Sequence, residues 1–291
     1  MSWLQLRIDI TRQQAYDVEK ALQKMGAASV TLEDNADQPI LEPALGSTPL
    51  WDNSRITGLF NGDVKTKAIS EFIEQKCGQL AQRWEQLEDK DWEREWMNNY
   101  HPIQCGDNLW ICPSWLEPPE PSAVNIMLDP GLAFGTGTHP TTFLCLKWLA
   151  KQSTQNIDVI DYGCGSGILA IAALLMGAQS AIGVDIDPQA LMATRENAER
   201  NQFSEDRIQV YLPDDSPREP ADLVFANILA GPLVELAPTL TQLTKVGGQL
   251  CLSGIIETQA EKIIAAYSEH FDFAPINQQD EWIQLSAVRR V

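Results

Sequence analysis

Positive charge is scarce in this chain: 21 lysines and arginines stand against 40 aspartates and glutamates, a net charge of −19. A protein that binds duplex DNA or RNA directly draws much of its affinity from neutralising phosphates with a basic face, so this imbalance argues against that class. The excess is uneven, with 13 acids and 9 bases in residues 1–88, 4 and 2 in residues 89–101, and 23 and 10 in residues 102–291. A basic protein is the macromolecular partner such a surface suits. No apolar run approaches the roughly 20 residues that span a bilayer. The first residues mix Gln5, Arg7 and Asp9 with apolar neighbours, unlike a secretory signal. A cytoplasmic protein without membrane contact is expected. Histidine is rare, three in all, and the six cysteines at 77, 105, 112, 145, 164 and 251 include no C-x-x-C pair. Zinc sites and disulfide frames need closer grouping, so no metal is expected and the thiols read as reduced.

What is present is an ordinary globular composition, 44% hydrophobic and 21% charged over 291 residues, enough for one large or two ordinary domains. Leu4, Leu6, Ile8 and Ile10 alternate along Trp3–Ile10 and predict a half-buried strand. Thr11 with Gln14 is a capping-box signal for a helix carrying Ala15, Val18, Ala21, Leu22 and Met25 on one stripe and ending at Gly26. Strands are predicted at Ser29–Glu33, Arg55–Phe60 and Leu80–Leu87, with a polar loop over 34–53 and a helix near Lys65–Cys77. That order, β-α-β-β-α-β, is ferredoxin-like. The segment has no cluster of His, Ser or Cys at catalytic spacing, so residues 1–88 are expected to form a substrate-recognition domain.

Residues 89–102 read as a linker helix, with Trp92, Trp96 and Tyr100 spaced to share one face before His101-Pro102 ends it. Strands are then expected within Ile103–Trp115 and at Val124–Leu128, followed by a glycine- and threonine-rich loop, Asp129–Thr142, and a helix with Leu144, Leu146, Trp148 and Leu149. Strands are predicted at Ile208–Leu212, Leu223–Asn227, Gln249–Leu252 and Trp282–Val288. Helices follow Pro188, run from Leu229 to Leu243, and occupy Thr258–Ser268. Strands alternating with helices imply an α/β domain over residues 103–291, a doubly wound, Rossmann-like parallel sheet with its ligand site beyond the strands' carboxyl ends.

The chemistry concentrates at Val159–Ile168, where Asp161-Tyr-Gly163-Cys-Gly165-Ser-Gly167 follows an apolar strand, and at Asp185, which ends the next strand. Alternate glycines allow a sharp turn and a close ligand approach at a helix N-terminus. A carboxylate at Asp185 can accept from both hydroxyls of a ribose. The nicotinamide fingerprint wants glycine where this chain has Ile168, which disfavours a dinucleotide oxidoreductase. Asp-x-Gly-x-Gly-x-Gly instead resembles motif I of the class I S-adenosylmethionine-dependent methyltransferases. Asn227 ends the fourth parallel strand beside that turn, a place that resembles the one where class I enzymes acting on amino groups carry an Asn whose carbonyl accepts from the target nitrogen. It is followed by Ile228, Leu229 and Ala230, not by the aromatic on which base-modifying enzymes stack their substrate. An aliphatic amine needs no such ring. Lysine, with a pKa near 10.4, is neutral in about one molecule in 2,500 at pH 7, and burial beside a sulfonium would raise that fraction, so no general base is required. His139 reads as structural.

Four stretches, Asp129–Thr142, Asp161–Gly167, Gly183–Pro188 and Ala226–Ala230, together resemble the bacterial ribosomal protein L11 methyltransferase (PrmA) family. Trp92–Tyr100, His101-Pro102 and Trp110–Trp115 match that family's linker region. The resemblance implies a class I methyltransferase domain behind a small ferredoxin-like α+β domain that holds the substrate protein. It implies trimethylation of lysine side chains and the N-terminal α-amine of one large-subunit ribosomal protein. A monomer without direct nucleic-acid contact is expected. Carried over by motif position, Thr142, Gly163, Gly165, Asp185 and Asn227 would contact S-adenosylmethionine, with Asn227 also at the target amine as the catalytic residue. The other readings are an RNA or DNA base N-methyltransferase and a non-catalytic cofactor-binding ribosome-assembly factor.

Overall fold

The computed structural model describes residues 3–36, 38, 40, 48–87, 100–129, 134, 135 and 137–291. The chain divides into two compact units, residues 1–98 and 99–291. The expected linker helix with Trp92 and Trp96 lies outside the described residues, as do residues 130–133 and Thr136 of the Gly/Thr loop.

The first unit runs β1 (Trp3–Thr11), α1 (Ala15–Lys24), β2 (Ser29–Asp34), β3 (Asn53–Asn61), α2 (Thr66–Cys77) and β4 (Gln82–Leu87), the predicted order of elements. All neighbours pair antiparallel, in the order β2-β3-β1-β4. Leu6, Ile8 and Ile10 point to one face of β1 and are buried with Val18 and Leu22 of α1 and Ile69 and Ile73 of α2. The capping box is present: Gln14 Oε1 accepts the Thr11 N–H at 2.9 Å.

The second unit begins with a small sheet of β5 (Ile103–Gly106), β6 (Leu109–Cys112) and β7 (Val124–Met127). It continues through α3 (Pro140–Leu149), β8 (Asp158–Tyr162), α4 (Ile168–Leu175), β9 (Ser180–Val184), α5 (Pro188–Arg200), β10 (Ile208–Tyr211) and β11 (Ala221–Asn227). The chain closes with α6 (Ala230–Glu235), α7 (Ala237–Leu243), β12 (Thr244–Ile256), α8 (Ala260–Tyr267), β13 (Phe271–Phe273), β14 (Asn277–Gln279) and β15 (Trp282–Arg289). The large sheet has the order β10-β9-β8-β11-β12-β15-β13, with β14 also on β15. Residues of α4 from Ile168 to Leu174 are all buried, which is why that helix is apolar on every side. Successive strand residues serve opposite faces: Val159 and Phe225 join the core under α3 and α4, while Ile160, Val224 and Ala226 join the core under α6, α7 and α8.

Three sequence expectations need correction. The sheet is doubly wound but mixed: β8 to β12 run parallel, whereas β15 lies antiparallel to β12, β13 and β14. A hairpin through Asp280, at φ 53°, reverses the chain into β15. The helix expected over 229–243 is two helices meeting at Leu236, because Pro238 fits only a first turn. Finally, β12 extends well beyond 249–252 and carries an irregularity between Leu252 and Ile255, at Gly254 with φ 83°.

Candidate active site

Strand order reverses between β8 and β11, which opens a crevice at their carboxyl ends. Tyr162 pairs with Val184 and Asp161 with Phe225, so continuing the registers puts Gly163, Asp185 and Asn227 at one level on three adjacent strand tips. The turn after β8 is drawn tight by Gly163 N and Cys164 N, which both donate to Val184 O at 2.6 and 3.0 Å. A Cβ on Gly163 would lie 2.2 Å from Ile228 Cγ2, and one on Gly165 would lie 2.5 Å from the Phe134 carbonyl oxygen. Behind the turn, Thr194 Oγ1 donates to Gly165 O at 3.0 Å and Asn197 Nδ2 to Ser166 O at 2.8 Å. Above it, Ser166 N donates to Phe134 O at 2.9 Å and Ser166 Oγ to Gly135 O at 2.7 Å, which ties the middle of the Gly/Thr loop to the glycine turn.

Two carboxylates flank this turn. Asp185 Oδ2 accepts from Gly165 N at 2.9 Å and Oδ1 from Asp187 N at 3.0 Å, so the acid shapes the turn while each oxygen keeps lone pairs for a ligand. Asp161 is 1% exposed. Its Oδ2 accepts the Ala170 N–H at 3.2 Å, but its Oδ1 has no partner. Burial raises this carboxyl to about 7. An orphaned buried carboxylate oxygen costs stability until a donor arrives, and a cationic donor suits it best. Ile186 and Leu212, 83% and 37% exposed, follow β9 and β10 as apolar surface beside the acid.

On the other side of the turn, Thr142 is fully buried in the first turn of α3, and its Oγ1 accepts from Asn227 Nδ2 at 3.2 Å. That bond fixes the amide and leaves Asn227 Oδ1 buried without a partner. His139 caps α3: its Nδ1 accepts the Thr141 N–H at 3.4 Å and lies 2.8 Å from Thr141 Oγ1. Because a backbone N–H can only donate, the neutral ring carries its proton on Nε2. Burial lowers the His139 pKa, which keeps the ring neutral at pH 7. The imidazole stands edge-on to Phe134 and Trp282, at centroid separations of 5.4 and 4.8 Å. These three rings, with Leu229 and Asn227, line a cavity of about 290 Å³. A larger surface cavity, about 580 Å³, lies between α5 and β10, lined by Glu196, Glu199 and Glu205 and by none of the three strand-tip residues.

Every residue expected at the site thus lies at this crevice: Thr142, Gly163, Gly165, Asp185 and Asn227. Sequence reasoning missed Trp282, which is far from any motif and reaches the cavity only because β15 enters antiparallel beside β12. It also missed Phe134 as a wall of the cavity, and Ile186 and Leu212, whose one local signal is an exposed apolar residue just after a strand. Among the described residues no group of three or more His, Cys, Asp or Glu could hold a metal ion, and no helix is long and apolar enough to cross a membrane.

The family model described as "Ribosomal protein L11 methyltransferase (PrmA)" matches residues 2–290. A ribosomal protein L11 methyltransferase of Saccharophagus degradans is 59% identical, with 100% of both chains covered. One of Cellvibrio japonicus is 60% identical over 99% of each chain. Among solved structures, the ribosomal protein L11 methylase of Lactobacillus delbrueckii subsp. bulgaricus superposes with a TM-score of 0.60 at 36% identity, covering 66% of this chain and 100% of that one.

Proposed function

The chain belongs to the ribosomal protein L11 methyltransferase (PrmA) family, enzymes that use S-adenosylmethionine, and we propose that it carries lysine side chains and the N-terminal α-amine of L11 to the trimethyl state. The observation that carries this reading is the pair of orphaned buried oxygens, Asp161 Oδ1 and Asn227 Oδ1, on either side of the glycine turn. A cofactor with an ammonium on one side and an amine substrate on the other gives each its missing donor. The apolar cavity at Asn227 is at the small end for ligand sites, suited to an alkyl amine and too short of polar groups to read a base edge.

The donor set fits the cofactor. In our reading Asp161 faces its ammonium, Asp185 its ribose, Ile186 and Leu212 its purine ring, and Gly163 and Gly165 its backbone-contacting middle, with Thr142 and Asn227 toward the methyl. When bound, S-adenosylmethionine supplies a methyl group on a sulfonium, an electrophile that needs no metal. The chain's own contribution is alignment and dryness. Asn227 Oδ1 accepts an N–H of the neutral amine and turns its lone pair toward the methyl. Thr142 holds Asn227 in that orientation. Phe134, Leu229 and Trp282 line the amine's approach with apolar surface. The amine proton leaves to solvent before transfer, since His139 Nδ1 already accepts from Thr141. The first unit is proposed to hold L11.

The test is methyl transfer from labelled S-adenosylmethionine to purified 50S components. Label in one ribosomal protein, in 14-dalton increments by intact mass, is the expected result. Label in nuclease-sensitive material would move the enzyme to the base-modifying class.

A further inference from the structure

The cavity beside Asn227 has a feature that simple amine methylation does not require: three aromatic rings in contact. Phe134 is 57% exposed yet turned against His139, and His139 lies against Trp282, each contact edge-to-face. In an edge-to-face contact the imidazole covers at most one face of each outer ring, which leaves the other face of Phe134 and of Trp282 for another group. The cavity's described polar atoms are few and mostly engaged: the Thr141 hydroxyl is 2.8 Å from His139 Nδ1, and Asn227 Nδ2 is given to Thr142. The acceptors left open among its described side chains are Asn227 Oδ1, buried without a partner, and the lone pairs that Thr141 Oγ1 keeps.

We propose that Phe134, His139 and Trp282 form an aromatic box that binds methylated ammonium better than bare ammonium, so that an amine already carrying one or two methyl groups is retained for the next transfer. The proposal rests on the amine-methyltransferase reading and adds which methylation state the site prefers. A lysine ammonium has three N–H donors, which outnumber the two side-chain oxygens, Asn227 Oδ1 and Thr141 Oγ1, left to accept them here. Each added methyl removes a donor, the last of them the one Asn227 Oδ1 would accept, and adds apolar surface that the rings cover. It also spreads the charge onto carbons that lie well against ring faces, the basis of quaternary ammonium recognition by aromatic cages. A neutral imidazole in the middle is required, because a second cation there would repel the first. Burial supplies that neutrality, and the Thr141 N–H supplies the tautomer. Glu281, the charged group felt by His139, adjoins Trp282 at the hairpin and attracts the ammonium in every methylation state, so it does not alter the ranking.

Two measurements test this in the full chain. In the first, ligand-observed saturation-transfer NMR compares capped lysine with capped Nε-trimethyllysine, in the presence of S-adenosylhomocysteine. The trimethyl form is expected to bind more tightly, and Phe134→Leu, at an exposed position whose loss the fold tolerates, to reduce that preference about 3- to 10-fold. Equal or stronger binding of unmodified lysine would overturn the box. In the second, L11 in large excess is methylated and its intact mass followed. The wild type is expected to give trimethylated sites beside unmodified protein, and Trp282→Leu to accumulate mono- and dimethyl forms. Equal slowing of all three transfers in the variant would assign Trp282 a structural role and sink the proposal. If L11 receives no methyl at all while trimethyllysine still outcompetes lysine in the NMR experiment, the substrate assignment fails and the box stands.

Discussion

Asn227 donates its side-chain N–H to Thr142 Oγ1 at 3.2 Å, and the consequence is at the other end of the same amide, where Oδ1 is buried with nothing to accept. One hydrogen bond thus fixes which way the amide is turned and leaves its oxygen as a buried acceptor with no donor.

Removing the holder is therefore expected to slow transfer, though less than removing the acceptor itself. Thr142→Val keeps the volume and deletes the hydroxyl, and single-turnover transfer should fall about tenfold. Thr142→Ser should retain most of the rate. Asn227→Ala should lower it by about 10²-fold or more, as loss of a preorganised polar partner does elsewhere. Rapid-quench measurement with saturating cofactor reads this directly. A Thr142→Val enzyme as fast as wild type would mean that Asn227 is oriented by something else.

Asp185 shapes the turn and is proposed to accept from the cofactor ribose, and the predicted phenotype follows from both. Asp185→Ala strips the acceptors from the Gly165 and Asp187 N–H groups, so unfolding free energy should drop by about 1–3 kcal/mol. S-adenosylmethionine affinity should fall below calorimetric detection, because both the ribose acceptor and the turn it shapes are lost. Unchanged affinity in that titration removes Asp185 from the cofactor site.

How much of this was legible beforehand depends on whether the signal was local. The glycine turn, Asp185 and Asn227 each sit at a strand end inside a motif, and periodicity located those strands. Trp282 carries no such signal: its place in the cavity depends on β15 running opposite to the strands before it, and on the irregularity at Gly254 that lets β12 bend past Ile228. The short strands β13 and β14 were equally silent, since three residues are too few to show alternation. The unpaired oxygens of Asp161 and Asn227 are properties of packing, which one-dimensional pattern does not record.

Gly163 should prove the least replaceable residue of the turn. It combines φ 81° with a Cβ position 2.2 Å from Ile228 Cγ2. Alanine there is strained by backbone and by contact together, an expected loss of about 2–4 kcal/mol. Adding Ile228→Ala should recover the contact part and leave the backbone part, a coupling that urea titration of the four-member cycle would read. Strict additivity would mean the two residues do not meet.

Asp161 makes the protein sensitive to pH in a direction opposite to most acids. Burial raises its folded-state pKa to about 7, while the unfolded chain titrates near the ordinary value of about 3.9. Between those values the folded state keeps a proton that the unfolded state has lost, so stability from this group is greatest at low pH, declines as pH rises through the window, and levels off above 7. Asp161→Asn should flatten that slope in melting experiments from pH 5 to pH 8. Cofactor binding should couple to the same proton: if Asp161 meets an ammonium, it must ionise, and near pH 6 binding should expel about one proton. Calorimetry in two buffers of different ionisation enthalpy counts that proton, and the difference between wild type and Asp161→Asn cancels the cofactor's own titration. A count indistinguishable between the two proteins at pH 6 would place the cofactor's ammonium elsewhere and leave Asp161 Oδ1 unexplained.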